Sequence, residues 1–465
     1  MAFFRNYFSG YYKQGGMKEL LIIALPMIIS TACDGVMTFT DRLFLSRLGY
    51  EQMNAAMGGG IAAQMLMFFF VGLTGYTTAL VAQYFGAKEF KNVSKSLFQG
   101  IIICCFSWPV ILVLKPLVVV FFTQIGTPES QLGFQIDYLN ILVWGSVLSL
   151  LRHTIGCYFI GIGKTKIVMN AAIAAMIANV FLDYLLIFGK FGIPAMGIQG
   201  AAIASISGSF VGTLVLVITY FRQENSSLKM TFASFRFDKM IMKKLLHFGY
   251  PAGLELFFNF LAFSTMVAFF HAQGDEIATA STIMFNWDLV SFLPLLGIEI
   301  AVTSIVGRYM GAQKSHVAER ATYSAIKIGI FYSIFIFFLF TLIPETLVRV
   351  FSPEEFSQVF ENMIPLAVNM IRLATLYVLA DATMVSLIGA LRGAGDTFYT
   401  MLISVISHWI LVLMIFLSFY VFDFTPLTAW FLVVISFLGF SLVLYIRFKS
   451  GKWKKIKVID SGINV

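Results

Sequence analysis

The sequence predicts an all-α polytopic membrane protein with twelve transmembrane helices, and three observations carry that reading. Hydrophobic residues make up 59% of the 465 and charged residues only 12%, with a mean hydropathy of +0.85; a soluble domain carries roughly 25% charged residues. Apolar runs near the ~20-residue length that crosses a bilayer recur along the whole chain. Basic residues collect in alternate loops, as they do in membrane proteins of fixed orientation.

The apolar segments lie near 20–45, 55–82, 97–122, 135–160, 167–188, 198–221, 247–272, 280–308, 325–346, 363–390, 398–420 and 425–447. Several exceed twenty residues, so tilt, kinks or helix ends beyond the hydrocarbon are expected. An even count puts both termini on one side. Arg5, Lys13 and Lys18, then Lys88, Lys91 and Lys95, Lys164 and Lys166, the stretches Arg222 to Lys244 and Arg308 to Lys327, Arg392, and the tail Arg447 to Lys457 hold 25 of the 32 basic residues. The opposite loops keep Arg42, Arg47, Lys115, Lys190 and Arg349, while Arg152 and Arg372 fall within spans. The asymmetry predicts a multi-pass protein of the plasma (inner) membrane with both termini cytoplasmic. The net charge of +8 then reads as a topology signal and a contact with anionic membrane lipids, and no nucleic-acid partner is expected. The first apolar run is too long, and too promptly followed by others, for a cleaved signal peptide. Cys33, Cys104, Cys105 and Cys157 sit in apolar segments without zinc-type spacing and read as small core residues.

The chain repeats itself. At an offset of 225, Pro26 maps to Pro251, Gly49 to Gly274, "YFGA" (Tyr84 to Ala87) to "YMGA" (Tyr309 to Ala312), and the Pro–Glu at 128–129 to that at 353–354. Further on the offset is 232, matching "GIGKT" (Gly161 to Thr165) with "GAGDT" (Gly393 to Thr397), so the second half carries seven extra residues. Six spans per half make this a parallel repeat of two pseudo-symmetric lobes, residues 1–221 and 247–465, joined by a basic cytoplasmic linker at 222–246. Such halves generally enclose a binding site and alternate its access, which favours a transporter.

Acids inside the spans mark where chemistry is expected, since a carboxylate in a membrane helix costs a few kcal/mol or more. Asp34 and Asp41 are seven residues apart, two helical turns, and so share a face. Asn179 and Asp183 are neighbours at i and i+4. The second half holds Glu255 on span seven, Asp288 and Glu299 on span eight, and Asp381 on span ten. Arg152 and Arg372 need partners within the bundle, and Arg372 is a candidate to neutralise Asp381.

The proline-started first helix ending "TFTDRLFLSRLG", "AQYFGAKEF" after the second span, "NVFLDYLLIFGKFGIPAMGIQGAAIAS" across spans five and six, and "ADATMVSLIGALRGAGDT" at the tenth together resemble the multidrug and toxic compound extrusion (MATE) family over essentially the whole chain. The resemblance implies two six-helix lobes forming a V, and export of amphipathic, often cationic, small organic compounds in exchange for Na⁺ or H⁺, without any cofactor. It also implies a cation site in the N-terminal lobe formed by Asp41, Asn179, Asp183 and Ser205. Their oxygens are hard ligands of the kind Na⁺ takes, and two neighbouring carboxylates repel, so that a proton can substitute for the metal ion. The bland alternative, that Asp183 and Asn179 bond only to backbone and each other, makes two acids on different spans a costly way to obtain packing.

Asp381 matches a family position implicated in coupling. Asn259 stands on span seven where the Na⁺-coupled branch usually has glutamate, with Glu255 one turn earlier. Asn259 is also the repeat partner of Asp34, which is expected to line the cavity and meet cationic substrate or water. The cavity or coupling set is therefore Asp34, Glu255, Asn259, Asp288, Glu299 and Asp381. Pro26 is expected to hinge the first helix, because proline removes a backbone hydrogen bond and clashes with the preceding turn. The 22 methionines and 50 phenylalanines suit a cavity that repacks around varied cargo. A monomer is expected. The alternative is a lipid or oligosaccharide flippase of the same superfamily, whose central cavity would be more cationic than the acids here suggest. The histidines (His153, His247, His271, His316, His408) form no HExxH motif, and "GAGD" at 393–396 falls in a loop, which speaks against an intramembrane enzyme. Duplicated lobes disfavour a passive channel.

Overall fold

A computed structural model describes residues 10–124, 128–223, 236–352 and 356–459. Arg5, the Pro–Glu pair at 353–354 and the middle of the expected linker (224–235) lie outside them. The described chain is all helical, with no strand among these residues: α1 Met17–Ser46, α2 Tyr50–Gly75, α3 Thr77–Gly86, α4 Phe90–Gln124, α5 Glu129–Gly161, α6 Thr165–Phe188, α7 Gly197–Phe221, α8 Lys239–His271, α9 Asp275–Gly311, α10 Ser315–Leu342, α11 Pro344–Arg349, α12 Gln358–Ala394, α13 Thr397–Tyr420 and α14 Pro426–Lys449. A short 3-10 turn, Lys452–Lys455, follows. Among the described residues twelve helices are long and apolar enough to cross a membrane, α2 and α3 counting as one span broken at Tyr76. Several run past the apolar segments read from sequence. α4 begins at Phe90 and α8 at Lys239 because a helix need not stop where its hydrophobic stretch does.

The ends of the helices follow local chemistry. Ser357 and Thr425 cap α12 and α14 by accepting from Phe360 and Thr428 N–H groups at 3.3 Å each. Pro344 and Pro426 sit at first positions, where a missing N–H is harmless. Pro26 and Pro251 lie inside α1 and α8.

The internal repeat extends to backbone conformation. Lys88 and Gln313, 225 apart, both have left-handed φ (62° and 59°), and Phe191 and Asp423, 232 apart, have 57° and 52°. Positive φ is uncommon in residues other than glycine, so its recurrence at the two repeat offsets marks one turn design used twice. Gly163 and Gly395, also 232 apart, end their helices at 79° and 93°.

The chain forms two compact units. One gathers the described residues up to Ala24, Phe258–Met310 and Lys314–Lys457; the other gathers those of Leu25–Phe257, Gly311–Gln313 and the residues from Val458. The division falls inside α1 and α8 rather than within 222–246. In the first unit Leu20, Ile23 and Ala24 of α1 are buried in a core with Leu295–Val306 of α9 and Ala318–Ala325 of α10, and a second core joins α8, α9, α12 and α14 around Trp430. In the other unit, α2, α5 and α7 pack around Tyr138 and Ile198, and α2, α4 and α5 around Cys104 and Val143.

Candidate functional site

The 25–257 unit brings Asp41, Asn179, Asp183 and Ser205 together. Asp41 stands one turn before the end of α1. Asn179 and Asp183 share a face of α6, and Ser205 lies on α7. α6 and α7 approach closely through small buried residues, Ala171, Ala172 and Ala175 on one and Ala201, Ala202 and Ala204 on the other. A Cβ added to Gly208 of α7 would lie 3.1 Å from Asn179 Cβ, so that glycine lets the helix carrying Ser205 come within reach.

Asp41 is the hub. Ser205 Oγ donates to its Oδ2 at 2.7 Å and Asn179 Nδ2 to its Oδ1 at 3.2 Å. Asp183 lies beside it. Asn179 and Asp183 are fully buried, and Asp41 is 5% exposed. Asn179 Oδ1 and both Asp183 oxygens are buried with no hydrogen bond among the described residues. Ser205 and Asn179 donate to Asp41, which leaves the Asp183 carboxylate and Asn179 Oδ1 short of positive charge or of a proton. Tyr138, buried on α5, turns its hydroxyl towards Ser205 and the two aspartates. Sequence reasoning passed over it, since one tyrosine in an apolar run carries no signal of its own.

Asp34 does not join this group. Arg152 Nη2 of α5 donates to its Oδ1 at 2.8 Å, so Asp34 is tied to one of the two bundle arginines instead of standing as a lone cavity acid. Seven residues keep the two aspartates on one face but about 10 Å apart along the helix, which lets each find its own partners.

The other unit holds a second, differently built group. Tyr377 of α12 donates from its hydroxyl to Asp288 Oδ1 of α9 at 2.6 Å, and Asp381, one turn beyond Tyr377, is buried with Oδ1 lacking any hydrogen bond among the described residues. Tyr377 stacks on Phe437 at 5.2 Å and meets Trp430 edge-on. Tyr377 too was missed from sequence, though its i, i+4 spacing to Asp381 is the kind of pair that could have pointed to it. Asn259 donates to Ser404 Oγ at 2.7 Å. Glu299 lies apart, ion-paired with Arg392, because eleven residues of helix place it about 16 Å from Asp288. Arg372 is exposed, and no ion pair joins it to Asp381. Nine residues is two and a half turns, which sets the two on opposite faces. Glu255 is buried on α8 within the 25–257 unit.

Comparison with known proteins comes to the same architecture. The MatE family pattern matches residues 26–185 and 251–419. "Probable multidrug resistance protein NorM" of Thermotoga maritima is 29% identical over 98% of this chain and 97% of its own length. "Multidrug resistance protein PmpM" of Pseudomonas aeruginosa is 26% identical over 84% and 82% respectively. A solved structure of a multidrug resistance MATE family transporter of the MOP superfamily, in an outward-facing conformation, superposes with a TM-score of 0.85 at 20% identity, covering 95% of this chain and 97% of that one.

Proposed function

The chain belongs to the MatE family, and from that premise we propose that it is a secondary active antiporter, a transporter and not an enzyme. It exports amphipathic, cationic organic compounds in exchange for Na⁺ or H⁺ by alternating access, from a plasma membrane in which both termini are cytoplasmic. The NorM and PmpM relatives are named for multidrug resistance, which supports drugs as cargo.

One observation carries the coupling reading: Asn179 and Asp183, both beside Asp41, hold three buried oxygens that accept no hydrogen bond among the described residues. Within this reading Asp41 and Asp183 supply the charge, and Asn179 and Ser205 orient the Asp41 carboxylate. Oxygen donors of this kind suit a hard cation such as Na⁺. A proton shared between the two carboxyls would relieve the same shortage. Either occupant changes the charge beside the α1 backbone. Pro26, fifteen residues earlier on that helix, is where bending is easiest. In the other unit Asp288, Tyr377 and Asp381 are the candidate groups for cargo or a second ion.

Reconstituted protein, loaded with a fluorescent organic cation and given a Na⁺ gradient or a pH gradient separately, tests the proposal. Efflux accelerated by one gradient, with counterflow exchange of labelled for unlabelled cargo, is expected. Flux that follows only the cargo's own gradient would show a passive pathway and overturn it.

A further inference from the structure

A basic cavity against α10 lies outside all the groups described so far. Gly10–Gly16 folds into a tight turn, Lys13 N–H donating to Gly10 O at 3.0 Å and Gly16 N–H to Lys13 O at 2.8 Å. Gly15 has φ +69°, and a Cβ there would lie 2.6 Å from Val317 O, so the turn sits flush on α10. Ser324 Oγ donates to Gly15 O at 2.9 Å and Arg320 Nη1 to Gln14 O at 3.3 Å. The Glu19 carboxylate accepts from Gly15 N–H and Tyr309 Oη, each at 2.8 Å. The turn is thus held in place without any ligand.

Between turn and helix is a cavity of about 140 Å³ whose polar lining includes Lys13, Arg320, Tyr323, Ser324 and Lys327, and no carboxylate. The nearby acids are engaged elsewhere, Glu19 as above and Glu319 with Lys454 at 2.7 Å. Tyr323 Oη is buried with no hydrogen bond among the described residues, and Lys449 Nζ stands 5.5 Å from its ring. Cations gathered round a polar recess with no acid among them favour an oxyanion. The space exceeds by far the roughly 10–15 Å³ that one water needs.

Depth decides which oxyanion. Lys327 is the last charged residue of α10, and 328–342 contains none; on α1 the apolar run begins at Leu20, just past Lys18 and Glu19. The cavity therefore lies where charged turns give way to hydrocarbon-facing helix, the level of lipid headgroups. From Lys327, steps of four, four and three residues lead to Phe331, Phe335 and Phe338 on one face of α10, exposed by 63%, 63% and 54%. We propose that this cavity binds the phosphate of an anionic phospholipid, with an acyl chain lying along Phe331, Phe335 and Phe338. A zwitterionic lipid brings an ammonium group that these cations repel.

Native mass spectrometry of the full-length protein, incubated with phosphatidylglycerol or phosphatidylcholine, reads this directly. The protein should retain phosphatidylglycerol in preference, and Lys13→Gln with Lys327→Gln should cut retention by roughly fivefold per charge removed. Lys88→Gln with Lys166→Gln, at basic positions elsewhere in the chain, should leave it unchanged. Tyr323→Phe removes only the hydroxyl and should lower retention while keeping the packing, which covers the case of a double variant that fails to fold. Millimolar inorganic phosphate and dihexanoyl phosphatidylglycerol should not displace the long-chain lipid. Unchanged retention in the cavity variants, equal loss in the Lys88/Lys166 pair, or displacement by inorganic phosphate would each overturn the proposal.

Discussion

The two polar groups, Asp41–Asn179–Asp183–Ser205 in one unit and Asp288–Tyr377–Asp381 in the other, occupy positions that the repeat does not relate. At the repeat offsets, Asp41, Asn179, Asp183 and Ser205 correspond to Met266, Leu411, Ile415 and Phe437. The first three are buried in the Trp430 core and Phe437 packs against it. In the reverse direction Asp288, Tyr377 and Asp381 correspond to Ala63, Gly145 and Ser149, of which Ala63 is buried in an apolar core. Backbone turns were kept across the repeat, down to the left-handed residues, while the charged chemistry was not. The groups also differ in balance. The first has more acceptor oxygens than donors, as a cation site requires; the second has a tyrosine hydroxyl already satisfying one acid and aromatic rings around it. A duplicated scaffold with unduplicated acids can couple one half to an ion and leave the other for a different task.

The sharpest way to break this contrast is Asp41→Asn, which keeps shape and removes charge. Efflux driven by either gradient should fall to that of protein-free vesicles, with membrane insertion intact; transport at the wild-type rate would remove the first group from coupling. Met266→Asp asks whether the equivalent place can host an acid. A carboxylate set in that core should cost at least about 3 kcal/mol, seen as a large drop in thermal midpoint in detergent without any new ion dependence. A stable variant would show that the apolar counterpart is incidental. Asp381→Asn and Tyr377→Phe should change efflux severalfold and shift the dependence on cargo concentration more than that on ion. Unchanged kinetics in both would make the second group structural. Subtler is motion: spectroscopic labels flanking Pro26 should report a change in distance with Na⁺ and pH, and labels flanking Pro251 a lesser one, since only α1 carries an aspartate downstream of its proline at that place. Equal responses would erase the asymmetry.

The smallest effect lies outside both groups and calibrates them. Lys95 Nζ donates to Asp238 Oδ2 at 2.9 Å, while the N–H groups of Met240 and Ile241 donate to its Oδ1 as a cap on α8. The lysine first, and then these N–H groups, hold the Asp238 carboxyl below its ordinary range. A depressed value in the folded state means a stabilising contribution present above the unfolded pKa of about 4 and lost as pH falls through the folded one. Asp238→Ala should cost about 1 kcal/mol at pH 7, read as a small drop in thermal midpoint, and the gap to wild type should close below pH 4. A gap that persists there would show that the carboxylate's charge is not what stabilises the helix start.

Span count and the repeat were legible in sequence because each is a property of the chain read along its length. Hydropathy over twenty residues and a match at a fixed offset need no knowledge of what packs on what. The acids too could be picked out, since hydrocarbon makes any carboxylate conspicuous. Only the tertiary structure decided how they were sorted. Asp34 meets Arg152 118 residues away, Asp41 meets Ser205 164 residues away, and Asp288 meets Tyr377 89 residues away. Such partners are chosen by which helix faces pack, and a periodicity shared by every apolar span cannot say which. Tyr138 and Tyr377 stayed hidden for the same reason. A tyrosine among phenylalanines becomes a polar group of interest only when a carboxylate from another helix is set beside its hydroxyl.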